Sequence, residues 1–407
     1  MIKLKKDYFS IENILNYLII LYAFLLPLHK SLVSTIGNIL LILFFLQTDI
    51  KIKIKIILNN KFFIIFTTLF IYGIIINFYS TNSIYGIKYI FNKYISYLPI
   101  FVIFISIKKE FIKYSISAFL TGLFISEIAS YGILFNLWET TYNLKYSTIN
   151  DPTPFMHHTY YSLYLSIGIL ILFFSILKEK FSKTTFIYIF FFLTMTVNMF
   201  ITGGRGGQIG FFITIFILLL IEKNKKLLWL LFLPIFIFII AYNFSELFHS
   251  RVLYAIRDII NFTDHNNFCG NWGKRAVSWL FSLEMLKEGH IFGLGFNNYV
   301  PYLQDFIAQH PNYQCALQSQ SKHLHNQFLT MFIDGGIIYL SLFIYMIYYL
   351  ITLPIKDSFM NKLKYIYLIP FIFISLTAEP LFFQSWSMHL FTLFTGLILA
   401  QTRIESP

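Results

Sequence analysis

Twelve apolar runs, separated by short polar connections, constrain this chain more than any other feature. They lie near 11–28, 31–46, 62–78, 84–107, 111–135, 159–177, 184–200, 208–221, 227–243, 327–352, 365–378 and 389–402. In lipid every backbone N–H and C=O must be satisfied internally, so runs of this kind take helical form. Several are shorter than the ~20 residues a bilayer requires, and neighbouring residues must extend them. Composition agrees: 57% of the 407 residues are hydrophobic, 12% are charged, and the mean hydropathy is +0.67. A soluble domain carries roughly twice that charge. The sequence thus predicts an all-α polytopic membrane protein of about 12 transmembrane helices, forming a single integral membrane domain over 1–407. The first run follows MIKLKK and imitates a signal peptide. No small-x-small cleavage site comes after it, so it is read as the first span.

The net charge of +12 would suit nucleic acid, but its distribution argues for a membrane instead. Lys3, Lys5, Lys6, Lys51, Lys53, Lys55, Lys61, Lys108, Lys109, Lys113, Lys178, Lys180, Lys183, Lys223, Lys225, Lys226, Lys356, Lys362, Lys364 and Arg403 are 20 of the 31 basic residues. All of them fall on the N-terminal side. The positive-inside rule makes that side cytoplasmic, with both termini on it. No nucleic-acid partner is expected. The opposite side differs in kind: Arg205, Arg251, Arg257 and Arg275, four of the five arginines, fall there, and all ten histidines map to it or its boundary. Topology needs only positive charge, whereas a guanidinium offers phosphate a planar fork.

Two loops on the arginine-bearing side are long. Residues 136–158 contain Asp151-Pro152-Thr153-Pro154 and His157-His158. Residues 244–326 run for about eighty residues where short connections are the norm. Within this second loop, RVLYAIRDII has the pattern of a helix lying on a membrane surface. An Asn-rich patch runs from Asn261 to Asn271, Gly273 to Lys287 reads as a helix, and GHIFGLGFNNY turns the chain. Cys269 and Cys315 fit neither a zinc spacing nor a disulfide-rich scaffold. Both belong to this loop, and an oxidising compartment would let them pair across 46 residues.

The stretch Lys322-His323-Leu324-His325-Asn326-Gln327 leads from that loop into the tenth run. Asp334-Gly335-Gly336 lies about three turns further in. A titratable imidazole at a membrane surface beside amides suits proton transfer; the other reading is an interfacial His-Asn capping a helix. If the segment is helical, His323 points away from His325. TGGRGG at 202–207 sets Arg205 among glycines, which turn the backbone tightly and expose amides near a helix start, both of which attract anions. A tight turn with a snorkelling arginine is the alternative, and the missing GK[ST] ending excludes a P-loop. Arg275 in GKRAVSW, taken alone, reads as a surface arginine on an amphipathic helix. Lys93 and Glu127 lie inside the fourth and fifth runs, 15 and 17 residues from Lys108 and Glu110, or ~22–26 Å from the lysine-rich face. At that depth they could pair across neighbouring helices, for function or for structure. Glu379, before Pro380, is a spare carboxylate that could orient a histidine. His310, Cys315, His323 and His325 match no zinc spacing, so neither metal nor cofactor is expected.

Taken together, these residues resemble the bacterial O-antigen ligase family, whose superfamily includes O-antigen polymerases and protein O-oligosaccharyltransferases. Three pieces carry the resemblance: TGGRGG ahead of the eighth run, Arg275-x3-Trp279 followed by GLGFNNY, and HNQFLTMFIDGG, in which nine residues separate Asn326 from Gly336. The motifs cover roughly 200–340, and the topology covers the full length. GHIFGLG departs from the family where a proline is common. The resemblance implies a GT-C-like fold in the bacterial inner membrane, with 244–326 as a large periplasmic loop. It implies a metal-independent, inverting glycosyltransferase. The donor would be a glycan on undecaprenyl diphosphate and the acceptor a sugar hydroxyl of lipid A–core. His325 would be the general base, Arg205 and Arg275 would stabilise the departing diphosphate, and Asn326, His323, Lys93 and Glu127 would contact substrate. A polymerase or protein transferase would use the same donor. A transporter would place polar residues midway through broken helices in repeated halves, and no repeat is visible.

Overall fold

Polar residues at the ends of the apolar runs set where helices start. Ser10, Asn60, Ser182, Ser245 and Asp357 each cap one by accepting a hydrogen bond from a first-turn amide, at 2.8–3.3 Å. Such a cap stabilises a helix by ~1 kcal/mol. The computed structural model describes residues 10–137, 147–178, 182–222, 225–316 and 323–406. Lys3, Lys5, Lys6, Lys180, Lys223 and Lys322, with the side chains of Lys225 and Lys226, lie outside the described residues.

The helices are α1 (Ile11–Leu25), α2 (Lys30–Phe45), α3 (Ile50–Asn59), α4 (Lys61–Asn77), α5 (Ser83–Ile95) and α6 (Pro99–Ser106). There follow α7 (Lys109–Leu134), α8 (His158–Lys178), α9 (Lys183–Phe200), α10 (Arg205–Leu220), α11 (Phe232–Phe244) and α12 (Glu246–His265). The last are α13 (Asn271–Lys287), α14 (Val300–Gln309), α15 (Gln327–Thr352), α16 (Ser358–Thr377) and α17 (Ser385–Glu405). Among the described residues there is no strand, and each apolar run falls on helix.

Among the described residues, seven helical segments are long and apolar enough to cross a membrane: Ser83–Ser106, Lys109–Leu134, His158–Lys178, Lys183–Phe200, Leu227–Phe244, Gln327–Thr352 and Ser358–Thr377. α1, α4 and α10 are apolar but shorter, and α2 meets α3 at 114°, so the lysine-bearing IKIKIK segment is a bent-back helix, not a loop. α17 misses the apolar criterion for a physical reason. Every residue from Ser387 to Gln401 is buried, and protein groups satisfy its polar side chains: the His389 ring meets the Tyr22 hydroxyl at 3.0 Å and the Ser34 hydroxyl at 2.9 Å. A helix enclosed by protein need not be apolar all round.

α8, α10 and α15 begin, and α16 ends, at one end of the bundle. α7, α9 and α16 begin, and α8 and α17 end, at the other, where Lys109, Lys178 and Lys183 lie. The 244–326 segment is α12 to α14 followed by a 3-10 turn (Pro311–Ala316), with its own small core of Val277, Phe281, Leu303, Phe306 and Ile307 against Leu329 and Ile333 of α15. A disulfide joins Cys269 to Cys315 across 46 residues, with Cα atoms 5.3 Å apart. α12 leaves Ile256, Ile259 and Ile260 exposed on one side, the apolar face its sequence pattern predicts.

Candidate functional site

The HNQ segment is built as a clamp. Asn326 caps α15: its Oδ1 accepts from the amides of Phe328 (2.9 Å) and Leu329 (3.0 Å), while its Nδ2 donates to the Leu376 carbonyl at 2.7 Å. Next to it, Gln327 Oε1 accepts from the Phe382 amide at 2.7 Å. These amides fasten the start of α15 to the end of α16 and the turn beyond, each bond worth ~1 kcal/mol net. Asn326 is 3% exposed with every polar group engaged, so the capping reading holds for it. Capping in turn puts His325 just outside the helix, in a left-handed conformation (φ +51°).

The turn held by that clamp carries Glu379. His325 Nδ1 lies 3.2 Å from the Ala378 carbonyl and 3.7 Å from Glu379 Oε1, and His323 Nε2 lies 3.3 Å from Glu379 Oε2. The two rings sit 4.2 Å apart. Sequence reasoning expected His323 to point away; it does not, because 323–326 is non-helical and both imidazoles turn to one carboxylate. A carbonyl can only accept, so His325 Nδ1 carries the proton and Nε2 presents the lone pair. Burial pushes the Glu379 carboxyl up, but the neighbouring His325 and His323 imidazoles outweigh it. The net pKa lies below the ordinary glutamate value, and the group is ionised at neutral pH. His323, His325 and Glu379 also place ligand atoms within 4.8 Å of one another, a spacing that can hold a cation. The sequence offered Glu379 as a carboxylate that could orient a histidine; it arrives from the turn after α16 and meets two of them.

TGGRGG is shaped by close packing. A Cβ on Gly204 would sit 2.2 Å from Ser162 Oγ, and one on Gly207 would sit 2.3 Å from the Ser162 backbone, so glycine lets α10 start directly against α8. The turn is pinned by Asp151, whose Oδ1 accepts from the Gly203 amide at 2.8 Å and whose Oδ2 meets His158 Nδ1 at 2.9 Å. Burial raises the Asp151 carboxyl; His158, the Gly203 amide and Arg251 together hold it below its ordinary value. Asp151, His157, His158 and Arg251 thus join the neighbourhood without having been singled out as site residues; the DPTP and HH motifs were the available signal. The His157 and His158 rings lie 3.9 Å apart, tilted by 39°, and burial, then the His158 charge, pushes the His157 imidazole down to about 4.

Arg205 opens α10 with its guanidinium 5.9 Å from the Tyr254 ring centroid. Burial, then the like charge of Arg205, lowers the Arg275 pKa, while Glu379 and Asp258 raise it, so these charges share one neighbourhood. Asp258 in turn accepts from the Trp272 amide at the start of α13, at 3.0 Å, which places the helix bearing Arg275. Arg205, Arg275, His325 and His323 therefore gather at one end of the bundle, although they come from three separate stretches of chain.

Asp334-Gly335-Gly336 has a different task. Gly336 breaks α15 at φ +71°, and a Cβ there would lie 2.2 Å from the Phe292 backbone. Into that break docks the GLGFNNY turn: the Leu294 amide donates to Ile333 O (2.8 Å), Gly295 to Asp334 O (2.9 Å) and Ile337 to Ile291 O (3.0 Å). The third motif thus anchors the second.

Lys93 and Glu127 do not form the expected pair. Lys93 Nζ donates to the Phe383 carbonyl at 2.6 Å, on the turn just after Glu379, and stands 5.2 Å from the Tyr89 ring centroid. Glu127, 1% exposed, belongs to α7, which packs on α1, α8 and α9, whereas α5 packs on α4. The two side chains face different neighbours. Lys93 therefore braces the turn that carries Glu379, and Glu127 lies away from it.

Residues 190–344 match the family described as O-antigen ligase. The match takes in Arg205, Arg275, His323, His325 and Gly336, and stops short of Glu379. No curated protein matches the chain.

Proposed function

We propose, from the match of residues 190–344 to the O-antigen ligase family, that this chain is an O-antigen ligase of the bacterial inner membrane. It moves a glycan from undecaprenyl diphosphate to a sugar hydroxyl of lipid A–core on the periplasmic face. The observation that carries the reading is the gathering of Arg205, Arg275 and a histidine with a committed Nδ1 proton at one end of the helix bundle.

The geometry suggests how the reaction would run. The acceptor hydroxyl gives its proton to His325 Nε2 as its oxygen attacks the anomeric carbon. The bond to the diphosphate breaks on the opposite face, which inverts the centre. Charge gathers on the leaving diphosphate, and two guanidiniums stabilise it where it develops. Glu379 stabilises the imidazolium that forms, and Ala378 O keeps the ring in the useful tautomer. In the His323–His325–Glu379 relay one carboxylate faces both imidazoles, at 3.3 Å and 3.7 Å. Asn326 and Gln327 hold the two halves of the relay in register.

The disulfide within 244–326 supports placing that segment in an oxidising compartment. The lysine-rich opposite end supports a cytoplasmic assignment for that face. Impermeant-reagent labelling of single cysteines on the α12–α14 segment in intact cells should succeed. Labelling only after the inner membrane is broken would overturn the topology. For the reaction, the lipopolysaccharide banding pattern of a deletion strain decides. A ligase leaves uncapped core and accumulates polymerised lipid-linked glycan. Single repeat units on core would point to polymerase, and normal capping with normal chain length would remove the reading.

A further inference from the structure

At the end of the bundle opposite the arginine–histidine cluster is a cavity of about 520 Å³, bounded by α7, α8, α9, α16 and α17. Its lining is divided. Lys109, Lys113 and Lys178 stand at its mouth, exposed and with no ion-pair partner among the described residues. Ile112, Ile116 and Leu120, spaced four apart on one face of α7, make an apolar wall that runs inward from them. From Lys109 to Leu120 is eleven residues, or ~16 Å along a helix, about half the ~30 Å thickness of a bilayer's hydrocarbon core. Asp357, the carboxylate on the lining, is engaged as the α16 cap, accepting from the Met360 amide at 2.8 Å.

Basic groups at headgroup level, above a one-leaflet apolar slot, have the profile of an anionic amphiphile. A soluble anion would have no use for the wall, and a neutral lipid none for the lysines. We propose that this cavity is a binding site for an anionic phospholipid, with its phosphate on Lys109, Lys113 and Lys178 and one acyl chain along Ile112, Ile116 and Leu120. Basic pockets between helices on the cytoplasmic side are suited to such headgroups. The site is independent of the transfer chemistry at the other end.

The test uses full-length protein in detergent, measured by native mass spectrometry with phosphatidylglycerol against phosphatidylcholine, and with inorganic phosphate as the lipid-free control. The wild type should retain phosphatidylglycerol preferentially. Lys109→Gln/Lys113→Gln/Lys178→Gln should lower that preference about fivefold per lysine, equivalent to ~1 kcal/mol each. The triple arginine variant should keep it. Ser117→Trp, on an exposed residue lining the slot, should lose bound lipid with all lysines in place. If Ser117→Trp retains lipid as the wild type does, the lysines hold it only diffusely and the site is refuted. Unchanged preference in the glutamine variant, or displacement by millimolar phosphate, refutes it equally. Should the glutamine variant fail to fold, the arginine and Ser117 variants still decide.

Discussion

Replacing Glu379 with Gln keeps the size and hydrogen-bonding capacity of the side chain and removes its charge. In the proposed reaction the imidazole of His325 becomes positive in the transition state, with the carboxylate 3.7 Å from Nδ1. At an effective dielectric near 20, opposite charges at that range interact by ~4 kcal/mol. His323 shares the same carboxylate, and Arg275 feels it as well, so we take about half, ~2 kcal/mol. At 1.36 kcal/mol per decade that is a ~30-fold fall in kcat. The Ala378 carbonyl still fixes the tautomer, so Glu379→Gln should cost less than His325→Ala, which removes the base and its ~10²–10⁴-fold contribution. The assay is transfer from purified lipid-linked glycan to purified lipid A–core, with kcat and KM for donor determined separately. Glu379→Asp should recover part of the rate. A purely structural Glu379 would lower the amount of folded protein and leave kcat per folded molecule unchanged. That result, or a change confined to KM, refutes the positioning role.

Arg205→Lys and Arg275→Lys keep charge and lose the bidentate fork; a charge-assisted hydrogen bond is worth ~1.5–3 kcal/mol, so each should lower transfer ~10–100-fold at unchanged protein level in the membrane. His323→Ala should reduce kcat less than Glu379→Gln, and EDTA should leave the wild type active; collapse under EDTA with rescue by Zn²⁺ would reassign the trio to a metal. His157 is held neutral in the folded state down to about 4, whereas unfolded histidine takes a proton near 6.5. The unfolded state thus binds more protons between those values, and stability should fall as pH drops through that window. In His157→Gln the part of the Tm loss between pH 6.5 and 4 due to this residue should vanish; an unchanged pH dependence would contradict it. Replacing Cys269 and Cys315 with Ser frees a 46-residue loop in the unfolded state, a loss of about 4 kcal/mol in the chain-entropy picture. Tm should drop by several degrees with kcat nearly unchanged.

How far the sequence could be read depended on whether the deciding interaction was local. Apolar runs and caps are local: Ser10, Asn60 and Asp357 announce helix starts within four residues, and the helices follow. The disulfide was legible because only two cysteines exist and both fall in one segment. Azimuth around a helix was not legible. Lys93 and Glu127 were expected to pair, yet one faces the Phe383 carbonyl and the other lies on a helix packed among α1, α8 and α9, because a count along the chain gives rise and not the neighbours a side chain meets. The same limit left open which histidines the Glu379 carboxylate would meet. Glu379 lies 54 residues after His325, and only the amides of Asn326 and Gln327, reaching Leu376 and Phe382, bring it alongside. Conformation rather than spacing also placed His323: two residues apart on a helix the rings diverge, but a left-handed residue at 325 turns both to one carboxylate. The motif that reads as His-Asn in sequence is therefore two devices in space. The asparagine closes the helix, and closing it is what leaves the histidine outside, with one nitrogen tied and the other available to take a proton.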